Sequence, residues 1–220
     1  MIQIAHIESL YPTKFGVPRQ AGLVDAPARV VFEPEYRVPE AVRGLEDFDY
    51  VWLIWEFHLA ERTEWSPTVR PPRLGGNKRM GVFATRSPFR PNAIGLSSVR
   101  LKRVEIDAKL GPVLYVEGAD LVDGTPIYDI KPYLPYADSH PDARGGFAQE
   151  APTEVLTVED PDGVMDMMTV EVRKALIDTL RHDPRPRYQH DTERVYAMPF
   201  ADTEIFFRVD GKMVIIVKKC

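Results

Sequence analysis

The sequence predicts a mainly β fold: an N-terminal β-barrel over residues 1–138 and a small α+β C-terminal domain over 162–220, with 139–161 as a linker or surface loop. Three observations carry this. Up to about residue 135 the chain is a succession of short apolar runs separated by turn residues, with little helical period. Twenty prolines stand against fourteen glycines, clustered at 67–72, 88–91 and 132–135, which suits stiff extended connections between strands. Beyond Tyr136 the pattern turns polar and is broken by Gly and Pro, and only then comes a good helix candidate.

In order, strands are expected at 2–8, 30–32, 50–57, 80–84, 94–104, 113–116 and, less strongly patterned, 126–130. Residues 50–57 (YVWLIWEF) are continuously apolar and aromatic, the signature of a strand buried on both faces. One short helix is expected at 39–45. Residues 165–181 place Met168, Val172, Ala175, Leu176 and Leu180 on one helical face, and Asp183-Pro184-Arg185-Pro186 ends that helix. The tail reads as strands at 195–198, 204–209 and 213–217, with an Asp210-Gly211 turn closing a hairpin.

Composition narrows the function. The single cysteine, Cys220, rules out a disulfide within the chain and Cys-based zinc sites. Five scattered histidines lack ligand spacing, so no metal is expected. The first residues lack a signal-peptide pattern and no run is long enough to span a bilayer; a cytoplasmic protein without a membrane partner is expected. P-loop, Gly-x-Gly-x-x-Gly and Gly-x-Ser-x-Gly motifs are absent.

Charge is unevenly placed. Residues 65–104 hold nine basic residues and no acidic one, although the whole chain carries a net charge of -5. Such an island points to a polyanion or to a phosphate- or carboxylate-bearing ligand. At its centre, Thr85, Arg86, Ser87, Arg90 and Asn92 are stiffened by Pro88 and Pro91, so donors are held before a ligand arrives. Asp123-Gly124-Thr125-Pro126 reads first as an ordinary turn before a strand; alternatively Asp123, Asp129 and Thr125 hold ribose hydroxyls or offset a cation. The 17–22 loop says little by itself, and His58 at a strand end more often caps than binds.

Taken together, GVFATRSPFRPNAIGLS, LVDGTPIYDIKPYLPYAD, VPRQAGL, RPPRLGGN and DPRPRY resemble the TrmO (TsaA-like, formerly YaeB) family of tRNA methyltransferases, in order and over most of the chain. Ala93 stands where that family often has Pro, and Tyr128 where an aliphatic residue is usual. The resemblance implies a β-barrel that binds S-adenosylmethionine, unlike the Rossmann-like methyltransferases, and a homodimer with the cofactor near the subunit contact. The implied reaction is N6-methylation of N6-threonylcarbamoyladenosine at tRNA position 37. Carried over to matching positions, cofactor contacts fall to Pro18, Arg19, Gln20, His58, Leu59, Arg86, Leu96, Asp123, Gly124, Thr125 and Pro126. Substrate and tRNA contacts fall to Arg90, Asn92, Arg185, Arg187 and Tyr188. No general base is assigned. Two other readings stay open: a non-catalytic barrel binding S-adenosylmethionine or a nucleotide as sensor or adaptor, and an RNA-binding module using only the basic island.

Overall fold

The computed structural model describes residues 1–60, 64–150, 155–185, 189 and 191–218. Six strands close a barrel: β1 (Ala5–Glu8), β2 (Pro27–Phe32), β3 (Tyr50–Glu56), β6 (Ile94–Asp107), β7 (Gly111–Glu117) and β8 (Pro126–Pro132). A two-stranded ribbon of β4 (Thr68–Val69) and β5 (Met80–Gly81) lies in the long connection between β3 and β6. The barrel order is β1-β2-β7-β6-β3-β8, every neighbour antiparallel. Closure leaves no free sheet edge among these strands.

Period-two burial builds the interior. Val51, Leu53 and Trp55 of β3 point inward with Val99 and Leu101 of β6, Leu114 and Val116 of β7, and Ile127 of β8. The outer face of β3 is half-buried, so the strand is not enclosed on both sides as its apolar run suggested. Its outward aromatics find local cover instead: Trp52 lies against Tyr133, ring centroids 5.8 Å apart, and its indole N–H donates to Asp138 Oδ2 at 3.0 Å. Asp138 belongs to α1 (Pro135–Asp138), a single turn laid on the barrel wall.

The C-terminal unit is a four-stranded sheet, order β10-β11-β12-β9, with one helix. Its strands are β9 (Thr157–Glu159), β10 (Tyr196–Phe200), β11 (Thr203–Asp210) and β12 (Met213–Val217), and the helix is α2 (Val170–Arg181). The hairpin turn sits at Gly211-Lys212, where Asp210 pairs with Met213 and Gly211 takes φ 56°, a value only glycine adopts at little cost.

Several expectations need correcting. The helix expected at 165–181 is two pieces, a 3-10 turn over Val164–Met167 and then α2, because Thr169 takes an extended conformation and accepts from Val172 N at 3.4 Å as its N-cap. The helix at 39–45 is two 3-10 turns, Pro39–Val42 and Leu45–Asp47, separated by Gly44 at φ 82°. The strand at 80–84 stops at Gly81 and coils into a 3-10 turn over Val82–Ala84. Within 139–161, Thr157–Glu159 pairs in parallel with β12, a strand too short to show a pattern in sequence.

Two cores result, and the β1–β2 connection belongs to the second. Tyr11, Val24 and Ala26 pack with Leu176, Leu180, Met198, Phe200 and Phe207 of the C-terminal unit. This connection sets the position of the site.

Candidate functional site: a cleft at the barrel rim

The antiparallel order brings one end of every barrel strand to a single rim: the ends of β1, β3 and β7 and the starts of β2, β6 and β8. The loops carrying the sequence motifs, 9–26, 57–93 and 118–125, therefore all emerge there. A broad cleft opens between this rim and the C-terminal unit, with Trp55, Phe57 and Leu96 on an apolar wall and Arg19, Arg86 and Asp120 among its charged groups.

Of the residues singled out in sequence, Pro18, Arg19, Gln20, Arg86, Arg90, Leu96 and Arg185 line this cleft. Gln20 and Arg86, from loops far apart in the chain, meet directly: Arg86 Nη1 donates to Gln20 Oε1 at 2.6 Å. Arg90 braces its own loop, donating from Nη1 to the carbonyls of Thr85 at 2.8 Å and Val82 at 3.2 Å, with its guanidinium 5.6 Å over the Phe83 ring. Thr85 and Ser87 stiffen the same loop, Thr85 Oγ1 accepting from Ser87 N and Ser87 Oγ from Phe89 N. Arg185 grips Asp183 through Nε and Nη2 at 2.8 and 3.0 Å, which holds its guanidinium firmly protonated. Arg19 Nη2 reaches the Asp183 carbonyl at 3.4 Å, joining the barrel loop to the C-terminal unit.

Another group sits elsewhere on the rim. His58 and Leu59 are exposed beyond β3, and the Leu59 carbonyl accepts from Lys14 Nζ at 2.8 Å. Asn92 is exposed, its carbonyl accepting from Ile94 N at 2.8 Å. Asp123, Gly124, Thr125 and Pro126 form a tight turn into β8, away from the cleft lining. Asp123 Oδ1 accepts from Ser9 N at 2.9 Å, and Thr125, buried, donates from Oγ1 to the Val122 carbonyl at 2.6 Å. Arg187 and Tyr188 lie outside the described residues.

Sequence reading missed Asp120. Its Oδ1 accepts from Ser97 Oγ at 2.5 Å, while Ser97 Oγ accepts from the Trp55 indole N–H at 3.0 Å. Burial pushes the Asp120 carboxyl upward; the Ser97 bond, the Arg86 guanidinium and the Ala21 amide pull it back only in part. A signal existed: Gly95, Ser97, Val99 and Leu101 alternate inward on β6, and a serine on a core face must have a partner. Gly95 is equally constrained, since a Cβ there would lie 2.2 Å from the Trp55 ring. Among the described residues, no group of three or more His, Cys, Asp or Glu is placed to hold a metal ion.

A closed antiparallel barrel with an apolar-walled, arginine-bearing cleft at one rim, backed by an α+β unit, is chemically suited to small anionic or nucleotide-like ligands. Comparison with known proteins makes this specific. The tRNA-methyltransferase O N-terminal domain matches residues 6–139 and the TrmO C-terminal domain residues 155–219. The chain belongs to the TrmO family. It is 46% identical over 216 residues to the tRNA (adenine(37)-N6)-methyltransferase of Escherichia coli strain K12, covering 94% of this chain and 92% of that one. It is 41% identical over 212 residues to a putative S-adenosylmethionine-dependent methyltransferase, RcsF, of Pseudomonas aeruginosa, covering 92% and 89%. The crystal structure of TrmO from Pseudomonas aeruginosa superposes with a TM-score of 0.79 at 31% identity, covering 97% of this chain and 94% of that one.

Proposed function

We propose that this chain is an S-adenosylmethionine-dependent tRNA (adenine(37)-N6)-methyltransferase whose barrel-rim cleft holds the methyl donor. The observation that carries this is the match to a named enzyme at 46% identity along 94% of the chain, barrel and C-terminal unit together.

The cleft residues suit the donor chemically. Trp55, Phe57 and Leu96 offer apolar surface to an adenine and a thioether chain, and Arg19 and Arg86 offer guanidiniums to a carboxylate. When bound, S-adenosylmethionine supplies an already activated methyl, so the protein's tasks are to bind, orient and exclude water. In this reading Pro18, Arg19, Gln20, Arg86 and Leu96 hold the donor. His58, Leu59 and the turn of Asp123, Gly124, Thr125 and Pro126 extend the site along the same rim. The acceptor is N6-threonylcarbamoyladenosine at position 37. Its threonyl carboxylate suits a planar, loop-braced guanidinium such as Arg90, with Asn92 beside it at the loop end.

Arg70, Arg73, Lys78 and Arg79 edge the cleft from the β4–β5 ribbon, and Arg185 edges it from the C-terminal unit. These bases suit phosphates of the anticodon stem-loop, and the family resemblance adds Arg187 and Tyr188 to the tRNA-contacting residues. Exposed Phe83, Ile94 and Leu96, 71%, 36% and 54% accessible, support a homodimer contact at the cleft mouth. Among the described residues no helix is long and apolar enough to cross a membrane, and the proposed place of action is the cytoplasm, where tRNA is modified.

The test is methyl transfer from labelled S-adenosylmethionine to tRNA from a strain lacking this activity, followed by nucleoside mass spectrometry. A methyl on threonylcarbamoylated but not on unmodified adenosine 37 is expected. Equal methylation of both overturns the acceptor, and none on either overturns the function.

A further inference from the structure

Asp120 and Arg86 carry opposite charges into one cleft, near enough for the guanidinium to pull the carboxyl downward, yet among the described residues no direct ion pair joins them. Each is instead fixed by other groups. Arg86 is tied to Gln20 at 2.6 Å. Asp120 is aimed by a relay: an indole N–H can only donate, so Trp55 occupies a lone pair of Ser97 Oγ and turns its hydroxyl hydrogen toward Asp120 Oδ1. Ser97 is 2% and Trp55 5% exposed, so water does not compete for this relay. Asp120 lines the cleft at one end of this relay and the Trp55 ring at the other, with Ser97 buried between them.

A fixed carboxylate beside a fixed guanidinium, unpaired with each other, is complementary to a zwitterion. In the proposed reaction only one reactant has one. The methionyl end of the donor carries an α-ammonium and an α-carboxylate side by side. The threonyl group of the acceptor carries a carboxylate, but its nitrogen is bound into the carbamoyl group and has no positive charge. We propose that Asp120 receives the α-ammonium of the methyl donor, with Arg86 on the α-carboxylate, so that this pair identifies the amino-acid end of the cofactor.

The proposal rests on the cofactor reading above and assigns a new residue within it. It makes Asp120 a binding residue whose loss reports in affinity rather than in the chemical step. The Trp55–Ser97 relay is then a positioning device, and the sequence motif worth noticing is Ala119-Asp120-Leu121, three residues ahead of the more visible Asp123.

Calorimetry with four ligands tests it: S-adenosylmethionine, S-adenosylhomocysteine, the deaminated analogue of S-adenosylhomocysteine, and 5′-methylthioadenosine, which lacks the amino-acid end. Wild-type protein should bind the deaminated analogue about tenfold to a hundredfold more weakly than S-adenosylhomocysteine, the range of a charge-assisted hydrogen bond. Asp120→Asn should abolish most of that difference and leave 5′-methylthioadenosine affinity unchanged. Equal wild-type affinity for the amine-bearing and deaminated ligands overturns the proposal without any variant. So does an Asp120→Asn protein that binds the donor normally but fails to turn over, because the carboxylate would then be a proton acceptor. If wild-type protein binds none of the four, the cofactor reading itself falls.

Discussion

Tyr11 and Thr179 meet in the dark between the two halves of the molecule: Tyr11 Oη lies 3.1 Å from Thr179 Oγ1, with 1% and 3% of each residue exposed. Tyr11 comes from the β1–β2 connection and Thr179 from α2, 168 residues later. The Tyr11 ring also meets Phe200 edge-on at 5.7 Å, and burial pushes its phenol up to about 12, so it stays a neutral hydroxyl.

Tyr11→Phe should therefore destabilise the fold by about 1–2 kcal/mol, leaving one buried hydroxyl without its partner. Tyr11→Ala, which also removes the ring, should cost about 3–5 kcal/mol. Urea unfolding monitored by circular dichroism measures both. Equal midpoints for wild type and Tyr11→Phe would show that Thr179 finds another partner.

Gly95→Ala should act at the cleft. The added methyl would lie 2.2 Å from Trp55 Cε2, so the indole must move and its bond to Ser97 must lengthen. Overpacking of this kind costs roughly 1–3 kcal/mol. A lower melting temperature accompanied by weaker S-adenosylhomocysteine binding is expected; a variant with normal values for both would mean that the barrel wall yields easily there.

The Asp120 carboxyl should leave a mark on the pH dependence of stability. Its native pKa is raised by burial, so between the unfolded value of about 3.9 and the higher native one the folded protein holds a proton the unfolded chain has released. Across that window Asp120 contributes less stability as pH rises. Relative to wild type, Asp120→Asn should gain stability with rising pH and then level off. A difference that does not vary with pH through the carboxylate range would contradict the raised value.

Replacing Arg70 and Lys78 by alanine should weaken tRNA binding and flatten its salt dependence. Each lost phosphate contact removes roughly 0.7–0.9 from the slope of log affinity against log salt. Donor affinity, read by calorimetry, should stay the same. An unchanged slope would remove the β4–β5 ribbon from the RNA surface.

Much of the fold could be read from residue order, because barrel strands announce themselves by alternation. The interior of β6 and β7 and the Gly211 hairpin follow directly from period two and turn chemistry. What escaped depends on contacts between distant residues. Strand β9 is three residues long and exists through its pairing with β12. The outer face of β3 is apolar because of Tyr133 and α1, which a strand pattern alone attributes to full enclosure. In the site, arginines crowded in one loop were visible, whereas Asp120 was eclipsed by the nearby Asp-Gly-Thr-Pro turn. Its place in the cleft depends on Ser97 and Ala21, which no local spacing joins to it.

The β1–β2 connection contributes Tyr11 and Val24 to the C-terminal core and Pro18, Arg19 and Gln20 to the cleft. Neither half thus owns the pocket outright. A chimera grafting this barrel onto a foreign C-terminal unit therefore inherits a mismatch at the cleft itself, and exchanging that unit requires exchanging residues 9–26 along with it.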